Sequence, residues 1–260
     1  MHCRASTSKV RTSAPRTGRA AHTPGHTSGL RTSTSSTGDA AGGASGWSPF
    51  PEYEGGAAFI EALVKEGAVV AIGHTAASGG RIREAAAAEA RLDPPGQRVL
   101  HALLPRHDNY LWEQLADDRL VASFIPDGHH LPPPLLRCLV RVKSPARLVI
   151  TCDASSLAGL PEGRYAMWGG ELEVLPGGKV VVPGTTFLAG SGVFTDTCVR
   201  TLVELGDVSL ADALDMAGAN PRTLLGLPRV SLEEGSPADL VVFEYPPFHV
   251  VDTVLAGRTS

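Results

Sequence analysis

The sequence contains little cysteine. Its 260 residues include four, which are Cys3, Cys138, Cys152 and Cys198. Their spacing matches neither a zinc ribbon nor the disulfide framework of a small secreted domain, so neither kind of scaffold is expected. We therefore predict that the cysteines are free thiols in a reducing compartment and that the protein is cytoplasmic.

The chain also lacks long apolar runs and any excess of basic residues. No stretch approaches the roughly 20 apolar residues that a membrane-spanning helix needs. The net charge is −4, which provides no basic surface of the kind that binds nucleic acid. The hydrophobic fraction of 43% is typical of a soluble globular protein. We expect neither a membrane nor a nucleic acid among its partners.

Large aliphatic residues are scarce in residues 1–48. Serine and threonine dominate this segment, and Val10 and Leu30 are almost its only large aliphatic residues. Such a composition buries too little apolar surface to offset the entropy that a chain loses on folding. We therefore predict that 1–48 is a disordered low-complexity segment and that the folded part starts at residue 49.

The most informative stretch of the chain is 148–154. Leu148, Val149 and Ile150 are three consecutive apolar residues and predict a strand buried on both faces. Asp153 follows shortly after them. In parallel α/β barrels the catalytic groups lie at the carboxyl ends of the strands. Aspartate in such a place also commonly stabilises a turn, and the strand alone does not decide between the two interpretations.

Two further predicted strands are followed by polar side chains in the same way. The strand over 69–72 precedes His74, and the strand over 120–125 precedes Asp127 and His130. Core packing does not explain three strands that all end in polar groups. The pattern predicts an α/β fold with a site at the carboxyl edge of a parallel sheet. Later in the chain, a glycine turn predicts a β-hairpin over 171–182, and 238–257 predicts two more strands.

Several short motifs occur in an order that is similar to one known family. They are Pro51-Glu52-Tyr53, Ile72-Gly73-His74-Thr75, Leu104-Pro105-Arg106-His107, Asp127-Gly128-His129-His130, Thr151-Cys152-Asp153-Ala154, Leu188-Ala189-Gly190-Ser191, Asn220-Pro221 and Ala238-Asp239-Leu240-Val241. Over 51–257 the sequence resembles the N-acetylglucosamine-6-phosphate deacetylases of the metal-dependent amidohydrolase superfamily. The motifs at 104–107 and 127–130 differ from the commonest sequences of the family, which indicates a divergent branch of it.

The resemblance implies a fold and a metal centre. The fold is a partial TIM-like (β/α) barrel over 49–227, with a small C-terminal β region over 228–260. The implied cofactor is one divalent metal ion, zinc or iron. Glu52 and His74 match the family's metal ligands, and carboxylate oxygen and imidazole nitrogen are ordinary ligands of both metals. Asp153 matches the catalytic aspartate, which takes a proton from metal-bound water and passes it to the leaving amine.

The resemblance also implies a reaction and a set of substrate contacts. The reaction is hydrolysis of the acetamide of an N-acetylated amino sugar, expected to be N-acetylglucosamine 6-phosphate, to glucosamine 6-phosphate and acetate. The implied substrate-binding residues are Arg106, His107, His130, Leu188, Ala189 and Gly190. Among them, the planar guanidinium of Arg106 suits a phosphate. The expected partners are this small molecule and, in a homodimer, a second copy of the chain.

The sequence departs from the family pattern in two places. The early barrel strands and their His-x-Glu-Gly-Pro-like motif have no counterpart, so we expect the chain to be incomplete at its N-terminus. Residues 93–100 replace Thr-His-Leu-x-Asn, which carries the third metal ligand, and His101 lies several positions past the ligand position. One alternative is therefore a catalytically impaired remnant, frame-shifted or truncated, that at most binds a sugar or a partner. Another is an amidohydrolase that acts on a cyclic amide.

Overall fold

The computed structural model describes residues 45–48, 53–73, 75–93, 104–167 and 169–259. These residues form a mixed α/β fold with three β-sheets, one parallel and two antiparallel. No helix within the described ranges is both long and apolar enough to cross a membrane.

The parallel sheet has five strands that pair in chain order. They are β1 (Ser45–Ser48), β2 (Val69–Ile72), β3 (Leu92–Asp93), β4 (Val121–Phe124) and β5 (Leu148–Ile150). Every neighbouring pair is parallel, so all five carboxyl ends lie at one edge of the sheet. The α/β class and the buried strands before Asp127 and Asp153 are therefore confirmed.

One expectation about this sheet needs correction, and the partial TIM-like barrel stays a prediction. β1 lies inside the segment 1–48 that the composition predicts to be disordered, and this prediction is wrong for 45–48. Pairing with β2 uses backbone groups, which do not depend on large aliphatic side chains. Residues 1–44 lie outside the described residues. The five strands also do not close into a barrel within the described part of the chain, because closure of a (β/α) barrel takes eight strands.

Four of the described helices connect successive parallel strands, and three more follow later in the chain. They are α1 (Gly56–Lys65), α2 (Gly79–Ala87), α3 (Tyr110–Ala116), α4 (Pro133–Lys143), α5 (Thr195–Leu205), α6 (Leu210–Ala217) and α7 (Ala219–Leu224). Ser78, Asn109 and Ser209 start three of them, since each side chain accepts a hydrogen bond from a backbone N–H in the first turn. Helix α4 begins with proline, which has no backbone N–H. At this position an N–H would have no partner within the helix, so its absence costs nothing.

The main hydrophobic core packs around β4 and β5. All three residues of β5 are buried, and Phe124 of β4 packs with Leu136 of α4, Leu202 of α5 and Met216 of α6. Lys143 at the end of α4 is also fully buried. Its Nζ donates to the backbone carbonyls of Asp117 and Leu120 at 2.8 and 3.0 Å. These bonds fix the end of α4 against the segment that leads into β4.

The two antiparallel sheets come from the second half of the chain. One contains β6 (Gly163–Met167), β7 (Gly170–Leu175), β8 (Lys179–Val181) and β9 (Leu188–Ser191), paired in that order. β7 and β8 occupy the segment 171–182 and are the middle strands of this larger sheet. The other contains β10 (Leu240–Glu244), β11 (His249–Leu255) and β12 (Arg258–Thr259). It lies within the range 228–260 for which the sequence predicts a small β region.

Candidate active site

Three strands end in polar residues that meet at one edge of the fold. Asp127 follows β4, Asp153 follows β5, and β9 ends at Ser191. The N–H of Ser191 donates to the carbonyl of Asp153 at 2.8 Å, and the N–H of Ser155 donates to the carbonyl of Ser191 at 2.8 Å. Ala154 and Ser191 form a parallel bridge. The end of β9 is therefore held directly beside the end of β5.

The carboxylate of Asp127 is buried and accepts hydrogen bonds at both oxygens. Its Oδ1 accepts the backbone N–H groups of His129 and His130, each at 2.9 Å. Its Oδ2 accepts the hydroxyl of Ser191 at 3.0 Å and lies 2.8 Å from Nδ1 of His130. Burial alone would raise the pKa of this carboxyl, but the hydrogen bond to His130, the positive charge of that imidazole in its protonated form, and the backbone N–H groups lower it to about 2. Asp127 is therefore ionised at neutral pH.

The imidazole of His130 has one nitrogen paired with Asp127 and one without a hydrogen-bond partner among the described residues. Only 2% of the side chain is exposed. An ionised carboxylate cannot donate, so Nδ1 carries the hydrogen of the contact with Asp127. The other nitrogen, Nε2, is buried and has no hydrogen-bond partner within the described ranges. Buried polar atoms are normally paired, so Nε2 marks the place where a polar group of a ligand is expected.

Asp153 is held by its backbone against β9. Its φ is +49°, in the left-handed region that aspartate tolerates better than most residues. Gly190 has a φ of +88°, and a Cβ at this position would lie 3.1 Å from the carbonyl oxygen of Asp153 and 3.1 Å from Cβ of Ser155. The contact between β9 and Asp153 therefore requires a glycine at position 190.

The turn between β7 and β8 joins the loop after β4 to the loop after β9. Nε2 of His129 lies 3.0 Å from the carbonyl oxygen of Gly177. The N–H of Gly192 donates to the carbonyl of Gly178 at 2.8 Å. Gly178 has a φ of +77°, and a Cβ there would lie 2.5 Å from Cγ1 of Val193. The turn therefore packs against both loops and restricts their movement relative to each other.

Arg106 and His107 lie in the exposed loop that precedes α3. Nε1 of Trp112 donates to the carbonyl of Arg106 at 3.1 Å. Oδ1 of Asp108 accepts the N–H of Gly79 at 3.2 Å, which ties this loop to the start of α2. Since α2 follows β2, the structure places the two predicted substrate-binding residues near the carboxyl end of β2.

The predicted metal ligands Glu52 and His74 lie outside the described residues, and so does His101. Within the part of the chain that the structure describes, no group of three or more histidine, cysteine, aspartate or glutamate residues is placed to hold a metal ion. The metal centre remains a prediction from the resemblance.

The structure brings together some predicted site residues and adds two others. His130 and Asp153 are both connected to Ser191 at the end of β9, the strand that contains 188–190, His130 through Asp127 and Asp153 through its backbone carbonyl. Arg106 instead makes its contact with α3. Asp127 and Ser191 join the first group, although the sequence assigned a role to neither. The signal for Asp127 is its spacing of three residues from His130 after a buried strand. Ser191 has no local signal, because it lies 64 positions from Asp127.

Curated proteins of similar sequence are deacetylases of amino-sugar phosphates. An N-acetylgalactosamine-6-phosphate deacetylase of Escherichia coli O157:H7 is 34% identical over 81% of this chain and 55% of its own length. An N-acetylglucosamine-6-phosphate deacetylase of Bos taurus is 35% identical over 80% of this chain and 52% of its own length. A putative N-acetylgalactosamine-6-phosphate deacetylase of Escherichia coli K12 is 38% identical over 56% of this chain and 86% of its own length. The chain thus spans about half the length of the first two relatives.

Solved structures agree with these sequence relatives. The N-acetyl-D-glucosamine-6-phosphate deacetylase of Mycobacterium smegmatis matches with a TM-score of 0.73 at 30% identity, over 83% of this chain and 57% of that one. The Thermotoga maritima N-acetylglucosamine-6-phosphate deacetylase shares the fold, with a TM-score of 0.72 at 24% identity over 83% of this chain and 58% of that one. No protein-family model matches the chain. The identity to relatives over most of this sequence, and over 86% of one of them, shows that the chain belongs to the N-acetylglucosamine- and N-acetylgalactosamine-6-phosphate deacetylase family.

Proposed function

We propose that the protein hydrolyses the acetamide of an N-acetylated amino-sugar 6-phosphate, with N-acetylglucosamine 6-phosphate as the first substrate to test. The products are glucosamine 6-phosphate and acetate. The observation that carries the proposal is that Ser191 of β9 binds both Asp153 and the Asp127–His130 pair at the carboxyl edge of the parallel sheet. Catalytic groups of α/β enzymes are found at this edge, and the family relationship supplies the reaction class.

Asp153 is the proposed proton-transfer residue. The oxygen of a water molecule adds to the carbonyl carbon of the acetamide, and Asp153 takes the proton that this water loses. The same carboxyl then delivers the proton to the amine nitrogen as the carbon–nitrogen bond breaks. The partial exposure of Asp153 allows substrate and water to reach it, while the backbone bond to Ser191 keeps its position constant.

Glu52 and His74 are the proposed metal ligands. Their carboxylate and imidazole donors suit zinc or iron. They are one fewer than the three protein ligands of common catalytic zinc sites. When bound, the divalent ion supplies a water of lowered pKa and polarises the acetamide carbonyl.

Substrate binding is assigned to two regions. Arg106 and His107 are the proposed phosphate contacts, because both side chains are exposed in a loop whose backbone is tied to α2 and α3. His130 and the backbone of 188–190 are the proposed contacts of the sugar and its acetamido group. We further propose that the five-stranded sheet is part of a TIM-like barrel, and that the protein acts in the cytoplasm as a homodimer.

The test is to measure acetate release and metal content for the full chain and for Asp153→Asn. The substrates are N-acetylglucosamine 6-phosphate and N-acetylgalactosamine 6-phosphate, with zinc or iron supplied. Asp153→Asn is expected to lower turnover by on the order of 10²-fold or more without loss of metal. Asp215→Asn, which alters an exposed carboxylate on α6, is the matched control and should keep the wild-type rate. Loss of metal from Asp153→Asn would instead make Asp153 a ligand.

A catalytically impaired chain is the second candidate, and the composition of 93–100 favours it. This segment contains no histidine, although it stands where the resemblance expects the third metal ligand. Losing even an outer-shell partner of a metal ligand typically costs ~10–100-fold in affinity or activity, so a missing ligand costs at least as much. If the wild-type chain holds no metal and releases no acetate from either substrate, this candidate replaces the first.

A further inference from the structure

A buried chain of hydrogen bonds runs across the strand ends from Ser191 through Asp127 to His130. We propose that Asp127 and Ser191 are positioning residues that hold the His130 imidazole with its proton on Nδ1, so that Nε2, which has no hydrogen-bond partner among the described residues, is left as a hydrogen-bond acceptor for the substrate. The inference rests on the proposed function, because it explains how one substrate-contacting residue of that site is held.

The carboxylate of Asp127 has a fixed orientation. Its Oδ1 is occupied by the backbone N–H groups of His129 and His130, and its Oδ2 by the hydroxyl of Ser191 and Nδ1 of His130. The side chains of Asp127 and His130 are only 1% and 2% exposed. Water therefore does not compete for these bonds, and rotation of the carboxylate would break several of them at once. A fixed carboxylate in turn fixes the plane of the imidazole.

Ser191 connects this arrangement to Asp153. Its Oγ donates to Oδ2 of Asp127 and accepts the N–H of Val193 at 3.4 Å. The bond from Val193 occupies the acceptor side of the hydroxyl, so the hydroxyl hydrogen points towards Asp127. The backbone N–H of Ser191 meanwhile binds the carbonyl of Asp153. One residue at the end of β9 therefore sets the position of the proton-transfer residue relative to His130.

The tautomer of His130 determines which ring nitrogen donates a hydrogen bond and which one can accept a hydrogen bond. With its proton held at Asp127, Nδ1 makes no contact with the substrate, and the unprotonated Nε2 can only accept a hydrogen bond from it. Asparagine at position 127 still accepts the two backbone N–H groups through its carbonyl oxygen. Its amide group donates to Nδ1, however, and thereby moves the ring proton to Nε2. A wrong histidine tautomer of this kind lowers turnover by up to ~10⁴-fold in the serine-protease triad.

The test combines a spectroscopic readout with kinetics on the full chain. The variants are Asp127→Asn, Ser191→Ala and the control Ser155→Ala, whose hydroxyl accepts the N–H of Leu157. In ¹⁵N-histidine-labelled protein, multiple-bond ¹H–¹⁵N spectra report the tautomer, and His130→Gln identifies the His130 signals. We expect the Nδ1–H tautomer in the wild type and in Ser155→Ala, the Nε2–H tautomer in Asp127→Asn, and faster solvent exchange of the Nδ1 proton in Ser191→Ala.

Kinetics with N-acetylglucosamine 6-phosphate should show a loss in kcat of on the order of 10–100-fold for Asp127→Asn, with a smaller change in KM. Ser191→Ala should show a smaller loss in kcat, and it keeps the proposal testable if Asp127→Asn does not fold. An Nε2–H tautomer in the wild type, or identical spectra in Ser191→Ala and the wild type, would overturn the inference. The spectra do not depend on turnover, so an inactive wild-type chain would refute the proposed function and leave this inference to be decided by the tautomer.

Discussion

Because the Asp127 carboxylate is ionised in the folded protein, the free energy of unfolding should decrease as the pH is lowered. Its pKa is lowered from 3.8 to about 2 in the folded chain. Each pKa unit corresponds to ~1.36 kcal/mol, so the carboxylate contributes about 2 kcal/mol to the free energy of unfolding at neutral pH. Because the pKa is lower in the folded state, this contribution is complete above the unfolded-state value. It is lost as the pH falls towards the folded-state value, and roughly half has gone by about pH 3.

The measurement is urea unfolding of the wild type and of Asp127→Asn between about pH 7 and about pH 3. Asparagine does not titrate, so the difference in unfolding free energy between the two proteins should shrink by about 1 kcal/mol over this range. The control is Asp207→Asn, whose carboxylate is 74% exposed and 3.5 Å from Arg141. Exposed ion pairs contribute only ~0–1 kcal/mol to stability. The difference in unfolding free energy between the wild type and Asp207→Asn should therefore change less over the same pH range. A difference for Asp127→Asn that stays constant with pH would show that the four hydrogen bonds do not hold a charged carboxylate.

The strands that carry the site could be predicted because their signal is local. Short runs of buried apolar residues mark β2, β4 and β5, and the polar residue after each run is visible in the sequence. Parallel pairing then dictates that their carboxyl ends lie at one edge, which brings Asp127 and Asp153 to the same place. Asp127 and His130 are three residues apart in the sequence, which allows a hydrogen bond between their side chains. Whether this bond forms depends on the conformation of the loop that contains them.

The remaining features depend on contacts between distant parts of the chain. β9 contains the small residues Ala189 and Gly190, which carry no strong strand preference, and it forms because β8 and the segment after β5 pair with it. The strand β1 is specified by pairing with β2 rather than by its composition. The role of Ser191 likewise appears only when β9 and the end of β4 meet. Closure of a barrel depends on more strands than the five in the parallel sheet.

Two pairs of substitutions, each with a test variant and a control, probe the packing that supports this site. Gly178→Ala should lower the free energy of unfolding by about 2–4 kcal/mol and Gly177→Ala by about 1 kcal/mol, as measured by chemical denaturation. Both glycines have a φ of +77°, but a Cβ at 178 would lie 2.5 Å from Val193, whereas one at 177 has no neighbour closer than 3.5 Å. Equal effects would mean that the turn does not pack against the loop after β9. Lys143→Met should lower the free energy of unfolding by about 1–3 kcal/mol, because it removes the ammonium that binds the buried carbonyl of Leu120 and the partly buried carbonyl of Asp117. Arg141→Met, on the same helix but 70% exposed, should change it by no more than about 0.5 kcal/mol. If Lys143→Met has as small an effect as this control, the buried ammonium does not stabilise the segment before β4.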